Sequence, residues 1–214
     1  MSKSSHFQRI ASAKLVAVIR APSGEILVDV AEALLAGGID VMEVTFTVPK
    51  AERVLEQIAD RLGDRVLLGA GTVLDAPTAR IAMLAGAEFI VSPGTSREVI
   101  QICQRYDKLV MPGALTPTEV IQAWEAGADA IKVFPADAAG GPRYLKSLKA
   151  PLPQIRLMPT GGVNLDTAAD FLAAGAWALG VGASLVEADA VERRDFSRIE
   201  SLARQFVTIV KESH

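Results

Sequence analysis

Ala126-Gly127-Ala128-Asp129-Ala130-Ile131-Lys132-Val133-Phe134-Pro135 holds the pattern that decides the fold. An amphipathic run, Pro117 to Glu125, stops at an Ala-Gly pair. A short apolar run then reads as a buried strand and ends at a proline. Working outward, the same junction recurs. Ala36-Gly37, Ala85-Gly86 and Ala174-Gly175 also close a helical pattern and lead into a strand, with the glycine available for a left-handed cap.

The whole chain alternates in this way. Strands are expected over Leu15 to Ile19, Val41 to Phe46, Val66 to Ala70, Phe89 to Ser92, Leu109 to Pro112, Ala130 to Phe134, Ile155 to Met158 and Ala178 to Val181. Helices are expected over Gly24 to Leu35, Lys50 to Arg61, Ala76 to Leu84, Ser96 to Arg105, Pro117 to Glu125, Pro142 to Lys149, Leu165 to Ala173 and Phe196 to Glu212. Eight strands alternating with eight helices imply parallel strands with helical crossovers, and predict a closed (β/α)8 TIM barrel of the α/β class. No linker or low-complexity tract divides the 214 residues, so one domain is expected over 1–214, with residues 1–13 an extra helix or a loose lead-in.

Composition excludes several classes of function. A formal charge of −3 and 5% aromatic residues give no basic face or stacking platform, so no nucleic acid partner is expected. The only histidines are His6 and His214, near the chain ends, which leaves almost no material for a histidine-built metal site or a Ser-His-Asp triad. Cys103 cannot form an internal disulfide and reads as a small core residue. Met1 to Gln8 is polar, and no run approaches the roughly 18 apolar residues of a membrane span, so no membrane partner and a reducing cytoplasm are expected.

Lys132 interrupts an apolar strand. Its neighbours disfavour the ammonium relative to the amine, which is what an amine nucleophile requires. A lone strand lysine more often snorkels or pairs with a carboxylate. Glu43, in Val41-Met42-Glu43-Val44-Thr45, makes a second charge on a strand, sharing a face with Val41 and Thr45. Both sit near strand ends where active sites of this architecture collect, beside Arg20, Thr72, Pro93, Pro112, Thr160, Gly161, Gly162, Gly182 and Ser184. Pointing inward together, Lys132 and Glu43 make a nucleophile and an acid/base; the bland alternative is a buried structural ion pair. Glycine turns at Thr160-Gly161-Gly162 and Gly180-Val181-Gly182, after the seventh and eighth strands, favour a phosphate cradle. Trp124 and Trp177 read as packing residues, and Lys146 and Lys149 as surface lysines, with phosphate attraction the alternative if one faces the mouth.

Glu43-Val44-Thr45-Phe46, Gly69-Ala70-Gly71-Thr72-Val73-Leu74, Phe89-Ile90-Val91-Ser92-Pro93-Gly94, Met111-Pro112-Gly113, Ile131-Lys132-Val133-Phe134-Pro135-Ala136 and Pro159-Thr160-Gly161-Gly162-Val163 together resemble the 2-keto-3-deoxy-6-phosphogluconate (KDPG) and 4-hydroxy-2-oxoglutarate aldolase family, collinearly from about Leu15 to Leu185. The resemblance implies a class I lyase of the Entner–Doudoroff route, without metal or cofactor, that cleaves a phosphorylated keto-deoxy sugar acid to pyruvate and glyceraldehyde 3-phosphate. Some relatives also split 4-hydroxy-2-oxoglutarate. It implies Lys132 as the Schiff-base lysine and Glu43 as the acid/base. Thr72 falls at the pyruvyl carboxylate, and Pro93, Pro112 and Phe134 shape the pocket. Thr160, Gly161, Gly162 and Ser184 fall at the distal hydroxyls and phosphate. It also implies a homotrimer.

One departure stands out. Many members carry an arginine four residues after the glutamate, where this chain has Thr47, and Arg20 is the available substitute for gripping the substrate carboxylate. Thr160 in its Pro-Thr-Gly-Gly turn resembles the gluconate-type enzymes more than the galactonate-type. Beside the aldolase, a 2-dehydro-3-deoxy-6-phosphogalactonate aldolase, a metal-independent phosphosugar isomerase or epimerase, and a non-catalytic phosphosugar-binding barrel remain open on the residues.

Overall fold

The computed structural model describes residues 2–21, 24 and 26–213. In chain order the elements are α1 (Lys3–Ala13), β1 (Leu15–Ile19), α2 (Leu27–Ala36), β2 (Val41–Thr45), α3 (Ala51–Leu62), β3 (Leu67–Gly71), α4 (Ala76–Leu84), β4 (Phe89–Val91) and α5 (Arg97–Arg105). Then follow β5 (Leu109–Met111), β6 (Gly113–Ala114), α6 (Pro117–Glu125), β7 (Ile131–Val133), α7 (Gly141–Lys149), β8 (Leu157–Pro159), α8 (Ala168–Ala173), β9 (Leu179–Val181), α9 (Ala188–Glu192) and α10 (Phe196–Glu212). Each expected strand and helix has its counterpart. The expected start of the second helix differs: α2 begins at Leu27, and Glu25 within the expected span lies outside the described residues.

Every strand pair is parallel. The single eight-stranded ladder expected from the sequence appears instead as two parallel sheets, ordered β5-β4-β3-β2-β1-β9 and β6-β7-β8. The division falls at Pro112. Without an N–H the proline cannot donate to a ladder, so β5 pairs with β4 and, beyond it, β6 pairs with β7. The Pro112 carbonyl still accepts from Lys132 N at 2.9 Å. On the far side, a parallel bridge between Thr160 and Gly180 links the end of β8 to β9.

Alternation along the strands builds two cores. Met42, Val44, Leu68, Ala70, Ile131, Val133 and Leu179 face the helices in the larger one. Val16, Val41, Leu67, Phe89, Val91, Leu109, Met111, Ala130, Met158 and Ala178 turn the other way and pack on one another with Ile10 of α1. The polar residues Glu43, Thr45, Lys132 and Thr160 share the parity of this inner set and are themselves buried.

Within residues 1–13, expected as an extra helix or a lead-in, Lys3–Ala13 form α1. Ser2 caps it, its hydroxyl accepting from Ser5 N. Ile10 is fully buried in the inner core, and Phe7 stacks on Trp177 with ring centroids 4.9 Å apart. Lys3 pairs with Asp129 at 2.9 Å and Arg9 with Asp40 at 2.7 Å. Asp40, Asp129 and Trp177 each precede a strand, so α1 lies across the N-terminal ends of the strands. The Ala-Gly junctions behave as expected at Gly86, Gly127 and Gly175, with φ of 103°, 97° and 95°; at the first junction the left-handed residue is Gly38, φ 93°, while Gly37 stays helical.

Candidate active site

Lys132 is the middle residue of β7, where Val133 and Ile131 face the helices and the lysine therefore faces inward. It is 6% exposed, and its Nζ stands 3.9 Å from Glu43 Oε1 and 5.2 Å from the centroid of the Phe134 ring. Glu43, in the middle of β2, is fully buried. Among the described residues, the buried side-chain oxygens without a hydrogen-bond partner are Glu43 Oε1, Glu43 Oε2 and Thr160 Oγ1. Burial pushes the Glu43 carboxyl above the ordinary range; the charges of Lys132 and Arg20 pull it the other way and do not cancel that effect. A buried carboxylate with a raised proton affinity, an amine alongside and no structural hydrogen bond is equipped to exchange a proton.

Strand β3 makes room for that carboxylate. Gly69 and Gly71 take the inner positions beyond Leu67; the Phe89 ring fills the space beside Gly69, and the Glu43 carboxylate fills the space beside Gly71. The pairing of Thr45 with Gly71 puts Glu43 diagonal to that glycine. A similar close approach occurs at Gly113, where an added Cβ would strike the Pro93 carbonyl.

Around this pair, Thr72 follows β3 with φ 56°, a left-handed conformation rare for a β-branched residue, and is half-buried. Pro93 follows β4, and Pro112 is buried at the break between the sheets. Phe134 is 36% exposed beside Lys132. Arg20, one residue past β1, is exposed and acts on Glu43 through its charge. Thr47, where the family resemblance leads one to expect an arginine, is hydrogen-bonded to Thr45, with 2.9 Å between the two Oγ1 atoms.

The two glycine turns are joined to each other. Gly161 and Gly162 are left-handed, φ 94° and 70°, and fold against Asp137 so closely that a Cβ on Gly162 would collide with that residue. The Gly162 carbonyl accepts from Thr167 Oγ1 at 2.8 Å. Gly182 opens the turn after β9, its carbonyl accepting from Leu185 N and Val186 N at 2.9 Å. Ser184 Oγ donates to the Val163 carbonyl at 2.5 Å, tying this turn to the one after β8. Its proton is thereby committed within the protein, a constraint the sequence did not reveal.

The expectations for Lys149 and the two tryptophans resolve simply. Lys149 does not face the strand C-terminal ends: its Nζ donates to the carbonyls of Pro153 and Ile155, ahead of β8. Trp177 packs under Phe7, and Arg156 lies over the rings of Phe7 and Trp124. Among the described residues no group of three or more His, Cys, Asp or Glu is arranged to hold a metal ion, and no helix is long and apolar enough to cross a membrane. Gly180, expected in the glycine turn after the last strand, lies inside β9 with Thr160 against it, and Gly71, quoted from the sequence only as part of a motif, proves to be where Glu43 is seated. Glycine at an inward strand position signals a close approach, and that signal was available in Gly69-Ala70-Gly71.

Comparison with known proteins places the chain in a family. A protein from Treponema pallidum named 2-dehydro-3-deoxy-phosphogluconate aldolase is 35% identical over 204 residues, covering 95% of this chain and 97% of the relative. The 2-dehydro-3-deoxy-6-phosphogalactonate aldolase of Escherichia coli is 37% identical over 198 residues, 92% of this chain and 93% of its own. The KDPG aldolase of Legionella pneumophila, solved with pyruvate captured as a covalent carbinolamine intermediate, superposes with a TM-score of 0.86 at 33% identity, covering 95% of this chain and 97% of that one. The family described as KDPG and KHG aldolase matches residues 7–202, and this chain belongs to it.

Proposed function

We propose that this protein is a class I aldolase cleaving 2-dehydro-3-deoxy-6-phosphogluconate to pyruvate and D-glyceraldehyde 3-phosphate, with 4-hydroxy-2-oxoglutarate as a second substrate. The observation that carries the reading is the Lys132–Glu43 pair: a buried amine 3.9 Å from a buried carboxylate whose oxygens have no partner in the protein. The relatives named as phosphogluconate aldolases support the substrate, and the carbinolamine trapped in the Legionella enzyme supports the chemistry.

In this mechanism Lys132 Nζ attacks the C2 carbonyl, and protonated Glu43 delivers a proton as water leaves, giving the protonated imine. Glu43, now a carboxylate, takes the proton of the C4 hydroxyl. The C4–O electrons close to the aldehyde, and the C3–C4 pair flows into the imine to form the enamine. Glu43 returns a proton to C3, and hydrolysis frees pyruvate and the lysine. Arg20 grips the substrate carboxylate from across the mouth in place of the arginine that relatives carry at Thr47, with Thr72 beside it. Pro93, Pro112 and Phe134 wall the pocket. Thr160, Gly161, Gly162, Gly182 and Ser184 receive the distal hydroxyls and phosphate, Ser184 through its backbone N–H because its hydroxyl proton goes to the Val163 carbonyl; the two left-handed glycines and the unpartnered Thr160 hydroxyl support this.

The two sheets are best understood as one closed eight-stranded barrel in a single domain, its fifth strand split at Pro112 and its last joint made by the Thr160–Gly180 bridge. Self-association as a homotrimer is favoured by an apolar stripe on and just before α4: Leu74, Ile81 and Leu84 are 64%, 49% and 69% exposed. A 36% identical domain belongs to a cage designed by fusing symmetric oligomeric domains. A phosphorylated substrate and a single thiol favour a cytoplasmic setting.

Reduction with borohydride in the presence of pyruvate should add a pyruvyl-derived mass to the peptide containing Lys132. Absence of the adduct removes the Schiff base and leaves an isomerase or a binding protein. Turnover of the three candidate substrates, compared side by side, should favour the phosphogluconate; faster cleavage of the phosphogalactonate would reassign the substrate while keeping the chemistry.

A further inference from the structure

The three buried oxygens without partners are not held by hydrogen bonds, so their positions must come from shape. For Glu43 the shape is visible. Its cross-strand partner on β3 is Gly69, and the diagonal neighbour toward the C-terminal end is Gly71. The Phe89 ring occupies the space a Cβ at Gly69 would take. The Glu43 side chain occupies the space at Gly71, where an added Cβ would collide with Oε1 and stand 2.8 Å from Cδ and 3.4 Å from Cγ. The carboxylate thus leans away from the packed ring of Phe89 and toward the strand ends, into the one gap that β3 leaves open.

We propose that Gly71 is a positioning residue for the Glu43 carboxylate, its missing side chain being the socket that aims the acid/base at the amine of Lys132. The inference rests on the aldolase reading above. Gly71 lies in an extended strand without a left-handed φ, so its backbone accepts alanine; what alanine cannot share is the space. One methyl group evicts the carboxylate from its socket, and no hydrogen bond within the protein draws it back. A shift of about 1 Å in a proton-transferring group is enough to cost about a hundredfold in rate.

The test is a double-mutant cycle. Gly71→Ala should lower kcat on the phosphogluconate by at least about tenfold with a smaller change in KM, and should shift the limb of the pH–rate profile that reports Glu43. In the Glu43→Gln background, which keeps the shape and removes the acid/base, the same alanine should cost less than about twofold. Losses that multiply would show that alanine damages the site independently of the carboxylate and would overturn the proposal, as would unchanged kcat in Gly71→Ala. If Gly71→Ala fails to fold, Gly71→Ala with Glu43→Asp, whose carboxylate is one methylene shorter, should fold; failure there too overturns the assignment of the collision to this pair. Pyruvate trapping on wild-type protein separates the two levels: no adduct at Lys132 defeats the aldolase reading, whereas an adduct with multiplicative losses defeats only the role of Gly71.

Discussion

Gly180 and Thr160 face each other across the joint between β8 and β9, linked by a parallel bridge, and the Thr160 side chain lies in the space that a Cβ on Gly180 would need. Thr160 Cβ itself is 3.2 Å from that point. Gly180→Ala is therefore expected to overpack the joint and to destabilise the fold by about 1–3 kcal/mol. Pairing it with Thr160→Ala should return most of that loss. Urea unfolding of the two single variants and the double variant measures the coupling, and additive losses would refute the contact.

Glu43→Gln should drop turnover by at least about a hundredfold while the fold persists. Its stability carries a sign that can be worked out. Burial raises the Glu43 pKa above its ordinary 4.5, so the native protein holds that proton more tightly than the unfolded chain; the attraction of Lys132 opposes this less strongly. The associated stability is complete below the ordinary value and is lost as pH rises through the raised native one. Glutamine has no such loss. The Tm of Glu43→Gln relative to wild type should therefore climb as pH rises above about 4.5, and a Tm difference that falls instead would contradict the burial argument.

The seat of α1 should be sensitive to its aromatic and to its histidine. Phe7→Ala removes the stack on Trp177 and the platform under Arg156, and is expected to cost about 2–3 kcal/mol, read by urea unfolding followed through tryptophan fluorescence. Burial pushes the His6 imidazole below its ordinary 6.5, against the pull of Glu88 3.4 Å away. Stability from neutral His6 is present above 6.5 and is lost as pH falls toward the lowered native value. The decline of Tm below about pH 6.5 should be shallower in His6→Gln.

Cys103 is fully buried, and burial pushes its thiol up to about 12. A disulfide reagent near neutral pH should modify it at least about a thousandfold more slowly in the native protein than after unfolding. Comparable rates in both states would mean that this part of α5 opens readily.

How far the sequence could be read depends on what each residue's role requires. The alternation of runs located the strands because burial on two faces leaves a continuous apolar signature, and Pro117–Glu125 and Phe196–Glu212 coincide with the helices found. Lys132 and Glu43 were legible because a charge inside such a run is anomalous. Pro112 was not read as a break, since its missing N–H matters only once its neighbour on β7 is known. Gly71, quoted only within a motif, had no role assigned for a similar reason: what it accommodates is a side chain on another strand, set by the register between β2 and β3. Ser184 looked like a free hydroxyl until its bond to Val163 appeared. Roles defined by one residue's surroundings along the chain are visible early; roles defined by a partner far along the chain wait for the register.

Helix α1 stoppers one end of the inner core with Ile10 and Phe7, so a ligand bound for the Lys132–Glu43 pair is expected to arrive from the opposite, C-terminal ends of the strands. If Lys132 carries the imine proposed above, a substrate that enters keto end first exits in reverse order: the outer fragment stands nearest the threshold while the inner one is still tethered to the lysine. Departure is then first the aldehyde, then the acid, and added pyruvate should compete with substrate whereas the aldehyde should not.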